Sequence, residues 1–296
     1  MQVSVIMPVY NAAPFLERAI QSALEQPQLS ELIAIDDAST DHSARILETW
    51  AQKTDRLIYL PAISKEPQRA SAARNRGLAV ATAPFIAFLD ADDYYLPGRF
   101  NRTEAYFKAH PEVEGVVEPV EVVYEREYEG EHLKRNKLGF KLNPEDQFDR
   151  LTYKDIISPG LPITGWTLKK SVIKAIGTFD TKQFQKQDQD YLRKLVYASQ
   201  LIFVAGINHP SVAAYVHHRS NTTLNQQEAS QNSARLELQW LKILSRSTGT
   251  KEDRFSLFYR YVIFKYQTAS WARWKKVILY PFLFLFEGVK KMKYLK

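Results

Sequence analysis

Residues 85–93 read Phe85-Ile86-Ala87-Phe88-Leu89-Asp90-Ala91-Asp92-Asp93, five apolar residues followed by three carboxylates within four positions. A short apolar run between polar segments is typical of a buried β-strand. The acidic side chains then lie where the strand ends, and like charges so close repel one another unless something neutralises them. The stretch therefore predicts a buried strand with several carboxylates close together at its carboxyl end.

Similar apolar, β-branched runs alternate with amphipathic stretches over the first 110 residues. This alternation predicts strands joined by helices, and hence a largely parallel sheet in an α/β fold. The predicted strands are Val3–Met7, Leu32–Ile35, Leu57–Leu60 and Phe85–Leu89, and the predicted helices are Pro14–Glu25, Asp41–Lys53, Ser71–Val80 and Leu96–His110. Because ligand crevices form at the carboxyl ends of parallel strands, the polar residues that follow three of these strands should converge.

The second half of the chain has a weaker pattern. Residues 125–160 combine charge with glycine and proline, and we assign them no regular structure. A helix is predicted from Asp188 to Val196, short strands at Leu201–Val204 and Val212–Val216, and a helical pattern beyond Asn225. We therefore expect an α/β domain over residues 1–223 and a helical extension over residues 224–296.

Composition narrows the possible chemistry and location. The chain has no cysteine, which excludes disulfides, thiolate catalysis and cysteine-based zinc sites. Its start lacks a basic lead and a long apolar run, so we expect no signal peptide and a cytoplasmic location. The net charge is +7, and residues 251–296 hold 11 basic and 3 acidic residues, so the excess positive charge lies at the C-terminal end.

This basic C-terminal segment is also aromatic, as in Trp271-Ala272-Arg273-Trp274-Lys275-Lys276. Its apolar run Val277–Phe286 has 10 residues and contains Pro281, whereas a spanning helix needs about 20. We expect peripheral attachment to the inner face of the cell membrane. The alternatives are packing of the aromatic residues on the α/β domain and a contact between copies in an oligomer.

The polar residues at the strand ends allow two interpretations each. Asp90, Asp92 and Asp93 suit Mg²⁺ or Mn²⁺ bridging to a diphosphate, or form an Asp-rich turn that caps the next helix. Asp37 is placed to accept hydrogen bonds from a ribose or a base. Arg74, in Ala73-Arg74-Asn75-Arg76-Gly77, either meets phosphate or belongs to a solvated basic turn.

Four segments, in this order, resemble glycosyltransferase family 2 of the GT-A fold, and the similarity covers about residues 2–223. They are Val5-Ile6-Met7-Pro8-Val9-Tyr10-Asn11-Ala12, Asp36-Asp37-Ala38-Ser39-Thr40-Asp41, Ala73-Arg74-Asn75-Arg76-Gly77 and Phe88-Leu89-Asp90-Ala91-Asp92-Asp93. The resemblance implies a nucleotide-binding, Rossmann-like mixed sheet flanked by helices. It also implies an inverting, metal-assisted transferase that moves a sugar from a nucleotide-diphosphate donor, commonly a UDP-sugar. The acceptor would be a hydroxyl of a bacterial cell-surface glycan or lipid-linked glycan.

The resemblance also implies roles for individual residues. The donor would be bound by Pro8, Tyr10, Asp37, Arg74, Asp90 and Asp92. Asp92 would be the principal ligand of Mn²⁺ or Mg²⁺. His218 would complete the coordination of the metal or the diphosphate, and His217 is the alternative residue for this role.

Asp188 matches the general base of this family, within a segment that resembles its Glu-Asp-x-Asp pattern. Here Gln187 replaces the usual glutamate, which alters the surroundings of the base. Without the resemblance, Asp188 would be interpreted as an N-terminal helix residue stabilised by the helix dipole.

Three alternative functions would each account for part of this sequence. A nucleotidyltransferase would need a glycine-rich phosphate loop after the first strand, where this chain has Tyr10-Asn11-Ala12-Ala13. A nucleic-acid-binding protein would use the basic tail, but the acidic strand ends would repel phosphate, so we expect no nucleic-acid partner. A non-catalytic scaffold or nucleotide-binding protein in a glycan assembly complex is favoured only by Gln187.

Overall fold

The computed structural model describes residues 1–124, 137–138, 148–150, 162–183, 186–199, 202–205, 210–217 and 226–244. The chain divides into two compact units. The first comprises Met1–Lys182 and Tyr191–Arg219, and the second comprises Gln183–Asp190 and Ser220–Lys296. Within the described ranges, no helix is both long and apolar enough to cross a membrane.

Strands and helices alternate from Val3 to Phe88, as the sequence pattern predicts. The strands in the described residues are β1 (Val3–Val9), β2 (Leu29–Asp36), β3 (Leu57–Leu60), β4 (Phe85–Phe88), β5 (Tyr94–Tyr95), β6 (Gly115–Val117), β7 (Val120–Tyr124), β8 (Lys137–Leu138), β9 (Phe148–Arg150), β10 (Trp166–Lys169), β11 (Ile202–Ala205) and β12 (Ala213–His217). The helices are α1 (Ala13–Leu24), α2 (Ser43–Lys53), α3 (Arg69–Val80), α4 (Asn101–Ala109), α5 (Lys170–Ile176), α6 (Gln187–Ala198) and α7 (Gln226–Leu244), and a 3-10 turn covers Ile163–Gly165.

Two sheets organise the first unit. The larger has the order β3-β2-β1-β4-β10-β6-β11-β9, and the smaller has the order β5-β12-β7-β8. Strands β3, β2, β1 and β4 pair in parallel, whereas β10 runs antiparallel to both of its neighbours. The predicted mixed α/β sheet is therefore confirmed, and the carboxyl ends of β1, β2 and β4 share one edge.

Both faces of β1, β2 and β4 are largely buried, which explains their continuous apolar sequences. In β1, Val5 and Met7 pack in a cluster with Leu16 of α1, while Ile6 between them packs with α3 and β4 in a second cluster. Helix α3 approaches closely because Gly77 has no side chain: a Cβ there would lie 2.6 Å from Ile6 Cγ2. Because both faces of these strands are covered, a ligand has access only to the ends of the strands.

The element predictions hold best over the first 90 residues. The four predicted strands β1 to β4 are confirmed, and β3 has the predicted bounds. Helix α4, expected from Leu96, begins at Asn101, because Gly98 has a φ of 75° and the chain turns there. The assignment of no regular structure to residues 125–160 was wrong at β8 and β9, and the pattern missed β5, β6, β7, β10 and α5.

Candidate active site

The loops after β1 and β2 are joined by one asparagine side chain. Asn11 Oδ1 accepts hydrogen bonds from the backbone N–H of Thr40 at 2.8 Å and of Asp41 at 3.3 Å. Asn11 itself has a φ of 48°, a conformation that asparagine tolerates better than most residues. The loop that follows β1 thus carries Tyr10, whose side chain is 49% exposed at the sheet edge, and Pro8 lies half-buried two residues earlier.

Asp41 binds the N-termini of two helices at this edge. Its two carboxylate oxygens accept the Ser43 N–H at 2.9 Å, at the start of α2, and the Ala13 N–H at 3.0 Å, at the start of α1. Burial opposes its ionisation, but these hydrogen bonds dominate and lower the pKa of Asp41. The N-cap residues are Ala12 and His42, neither of which makes a side-chain cap hydrogen bond, so Asp41 binds the first N–H of both helices from outside the cap positions.

Asp37 is buried directly after β2. Its backbone N–H donates to the carbonyl of Val9 at 2.8 Å, which ties it to the end of β1. Its carboxylate accepts the backbone N–H groups of Gln68 at 2.8 Å and Arg69 at 2.5 Å, at the beginning of α3. Arg69 has a φ of 76°, so the chain adopts an uncommon backbone conformation where it meets this carboxylate.

Arg74 of α3 reaches the carboxylate cluster after β4. Its Nη2 lies 2.5 Å from Asp90 Oδ1, and the arginine side chain is 6% exposed. Its guanidinium also stands 5.7 Å from the centre of the Phe179 ring. The interpretation of Arg74 as part of a solvated basic turn is therefore wrong, because this cation is buried and paired.

Asn75 fixes the segment that carries Phe179. Its side-chain amide accepts the Phe179 N–H at 2.8 Å and donates to the Phe179 carbonyl at 3.0 Å. Phe179 in turn stacks on Tyr191 at a centroid distance of 3.8 Å. Arg76, the other guanidinium of this motif, donates to the carbonyls of Pro61 and Asp36.

The three carboxylates after β4 occupy different environments. Asp93 is 1% exposed, whereas Asp90 and Asp92 are partly exposed. Burial raises the pKa of the Asp93 carboxyl well above its usual range, and the charges of Asp92 and Asp90 raise it further. The N-cap of α4 is Phe100, without a side-chain cap, so the interpretation of these residues as helix caps is wrong.

Asp188 and Asp190 lie in the first turn of α6, in the second unit. Asp188 Oδ1 accepts the N–H of Gln189 at 2.8 Å. Asp190 is 2% exposed and accepts the indole N–H of Trp240, in α7, at 2.9 Å. This contact joins α6 to α7 within the second unit, and the sequence pattern had given Asp190 no role.

Of the two predicted histidines, only His217 lies within the described residues. It is the last residue of β12. His218 and its neighbour Arg219 lie outside the described residues, as does the whole basic segment 251–296. The structure therefore places Pro8, Tyr10, Asp37, Asp90 and Asp92 at the ends of β1, β2 and β4, with Arg74 paired to Asp90. The roles of these residues, and those of Asp188 and His218, stay predictions.

The glycosyl transferase family 2 model matches residues 4–177, more than half of the chain. The chain belongs to glycosyl transferase family 2. This membership confirms the predicted family and enzyme class, and the matched range contains Tyr10, Asp37, Arg74, Asp90 and Asp92 but ends before Asp188.

Curated relatives are similar over part of their length. The succinoglycan biosynthesis protein ExoU of Rhizobium meliloti is 39% identical over 100 residues, which are 34% of this chain and 29% of that protein. The minor teichoic acid biosynthesis protein GgaB of Bacillus subtilis is 34% identical over 140 residues, 46% of this chain and 15% of GgaB. The chain thus matches less than a third of either relative.

Solved structures are similar over nearly the whole chain. The structure of S. aureus TarS residues 1–349 in complex with UDP-GlcNAc superposes with a TM-score of 0.66 at 16% identity, covering 94% of this chain and 76% of that one. The mannosyltransferase PcManGT from Pyrobaculum calidifontis, in complex with GDP-Man and Mn²⁺, gives 0.61 at 16% identity, covering 99% and 83%. At this identity the likeness establishes the shared fold.

The Arg74–Asp90 pair should be thermodynamically coupled. We expect a double-mutant cycle of Arg74→Met and Asp90→Asn to give a coupling free energy of about 1 kcal/mol, because the arginine is buried while the carboxylate is about one-third exposed. Urea unfolding of the four proteins measures this value.

A second cycle serves as the control for this prediction. Arg76→Met with Asp90→Asn should show no coupling, because the Arg76 guanidinium binds backbone carbonyls. Equal coupling in the two cycles would contradict the specific pairing of Arg74 with Asp90.

Proposed function

We propose that this protein is an inverting glycosyltransferase that moves a sugar from a UDP-sugar to a hydroxyl of a bacterial glycan or lipid-linked glycan. The proposal rests on one observation: in a chain of this family, Arg74 forms an ion pair with Asp90 at the end of β4. Two proteins of the same fold support the donor class, since TarS was solved with UDP-GlcNAc and PcManGT with GDP-Man and Mn²⁺.

The surroundings of Arg74 fit a diphosphate. Its Nε is buried and has no hydrogen-bond acceptor among the described residues. A buried guanidinium N–H without an acceptor is costly, and a phosphate oxygen is its best partner. We propose that Arg74 binds the diphosphate of the donor and stabilises the charge that develops as it leaves.

The carboxylates after β4 fit a divalent cation that is shared with the donor. No group of three or more potential ligands is assembled in the described part of the chain. Mg²⁺ is commonly bound by one or two carboxylates plus substrate phosphates, and Asp92 and Asp90 match that pattern. We propose Asp92 as the principal ligand and His218 as a further one, and the cation would supply Lewis-acid neutralisation of the departing diphosphate.

The nucleoside would lie over β1 and β2. The exposed ring of Tyr10 offers a stacking surface for a base, and Pro8 lines the same strand end. The Asp37 carboxylate accepts two backbone N–H groups and retains lone pairs for a base N–H or a ribose hydroxyl. These contacts fix the orientation of the donor but do not identify its sugar.

We propose Asp188 as the general base that takes the proton of the acceptor hydroxyl. A hydroxyl that attacks opposite the leaving diphosphate inverts the anomeric carbon, as in inverting glycosidases. The proposal also includes a catalytic domain over residues 1–223 and an extension over residues 224–296 whose basic, aromatic end attaches the protein to the inner membrane surface.

Calorimetric titration with UDP tests the donor site. We expect Mn²⁺ to tighten UDP binding by about tenfold or more, equivalent to about 1.4 kcal/mol, and Asp92→Ala to abolish that gain. Asp55→Ala is the matched control, because Asp55 is exposed and precedes β3, at the opposite end of the strands. Failure of UDP, GDP and TDP to bind with Mn²⁺ present would contradict the donor site.

The general base is tested by Asp188→Asn, which keeps the shape of the side chain. We expect kcat to fall about 100-fold or more while donor affinity stays within about threefold, because the residue acts on the acceptor proton. NMR of the product should show an inverted anomeric centre. Wild type that binds a UDP-sugar but transfers it to no acceptor would favour the scaffold function instead.

Vesicle flotation tests the membrane surface. We expect the protein to float with vesicles containing anionic lipid. Lys275→Glu with Lys276→Glu should lower the membrane partition coefficient about 30-fold or more, since each of the two basic residues contributes about 1 kcal/mol. The control is Lys53→Glu with Lys108→Glu, two exposed lysines of the α/β unit. Equal loss in both pairs, or binding to neutral vesicles alone, would contradict a specific basic segment.

A further inference from the structure

Asp93 is the buried member of the carboxylate cluster, and no role in donor binding is proposed for it. Its backbone N–H donates to the Asp90 carbonyl at 3.0 Å, which closes the turn that contains Asp92. Its side chain is turned away from solvent, at 1% exposure. A carboxyl group buried beside two other carboxylates is costly, so its surroundings must hold it through specific hydrogen bonds.

Two hydrogen bonds hold this carboxyl group, and they come from distant parts of the chain. Asp93 Oδ2 accepts the hydroxyl of Thr164 at 2.9 Å, and Oδ1 accepts the backbone N–H of Val216 at 2.9 Å. Thr164 lies in the 3-10 turn that precedes β10, beside β4 in the larger sheet, whereas Val216 lies in β12 of the smaller sheet. Asp93 therefore links the two sheets at the carboxylate turn.

The position of Val216 explains why its N–H donates to a side chain and not to a backbone carbonyl. Strand β12 pairs antiparallel with β5 through Ala213↔Tyr95 and Ala214↔Tyr94. Continuing that register would place Val216 opposite Asp92, where the chain has already left the strand. The Asp93 carboxylate takes the place of the backbone acceptor there, so the sheet contact extends up to the carboxylate turn.

We propose that Asp93 is a positioning residue that holds the Asp90–Asp92 turn against the end of β12. The link would therefore keep the Asp92 ligand at a fixed place relative to β12, which ends at His217. This inference rests on the proposed function, because it presupposes that Asp92 binds the cation.

The test measures Mn²⁺ binding in the presence of saturating UDP, by electron paramagnetic resonance of free Mn²⁺, with thermal unfolding of every variant as a check on folding. Asp93→Ala removes both hydrogen bonds, and we expect its Mn²⁺ dissociation constant to rise about tenfold or more, as for other residues that orient metal ligands. UDP affinity without metal should change much less.

The matched variant is Asp93→Asn. Its amide oxygen still accepts the Val216 N–H, and its NH₂ group can donate to the Thr164 hydroxyl oxygen, so position is kept while the carboxylate is removed. We expect its Mn²⁺ affinity to stay within about threefold of wild type. An Asn variant as weak as the Ala variant would overturn the proposal, because charge and not position would then be the cause.

Thr164 provides an independent test if Asp93→Ala does not fold. Thr164→Val removes one of the two hydrogen bonds at nearly constant volume, and we expect Mn²⁺ binding to weaken about threefold, with Thr164→Ser close to wild type. If Asp93→Ala and Thr164→Val both bind Mn²⁺ with wild-type affinity, the positioning role is overturned while the metal site stands. If Asp93→Ala is unfolded, wild-type Mn²⁺ affinity of Thr164→Val alone overturns it. A wild type that does not bind Mn²⁺ with UDP would overturn the metal site and this inference together.

Discussion

Parallel pairing of β1, β2 and β4 is the constraint on which the rest of the site depends. These strands are buried on both faces, between clusters that contain α1 on one side and α3 on the other, so each strand releases its polar residues only where it ends. Because the strands run in the same direction, those ends share one edge. Tyr10, Asp37 and Asp92 therefore follow strand ends on the same side of the sheet although they are far apart in sequence.

Several carboxylates lie close together at these strand ends and repel one another. Hydrogen-bond donors and one arginine around them reduce the free-energy cost of this repulsion. Arg74 pairs with Asp90, two backbone N–H groups bind Asp37, and Thr164 and Val216 donate to Asp93. Backbone and side-chain donors hold these carboxylates in place without a protein cation at each one. Such an arrangement suits a ligand that brings both phosphate and a divalent cation, and it gives the proposed chemistry its physical basis.

The sequence allowed the ends of β1, β2 and β4 to be predicted because each strand is an apolar run followed by polar residues. It could not place α4, since Gly98 turns the chain before the helix begins, or the two-residue strands β5 and β8, which are too short to form a pattern. The sequence also could not predict the hydrogen bonds that hold the carboxylates in place. Asp93 receives hydrogen bonds from residues 71 and 123 positions away, and such contacts leave no local pattern.

The most direct measurement is a crystal structure of the protein grown with UDP and Mn²⁺, with the metal located by its anomalous scattering. We expect Mn²⁺ in direct contact with an Asp92 carboxylate oxygen. We also expect the diphosphate within hydrogen-bond distance of Arg74 and the uracil beside Tyr10 and Asp37. A metal held elsewhere, or UDP bound away from the ends of β1, β2 and β4, would contradict the proposed donor site.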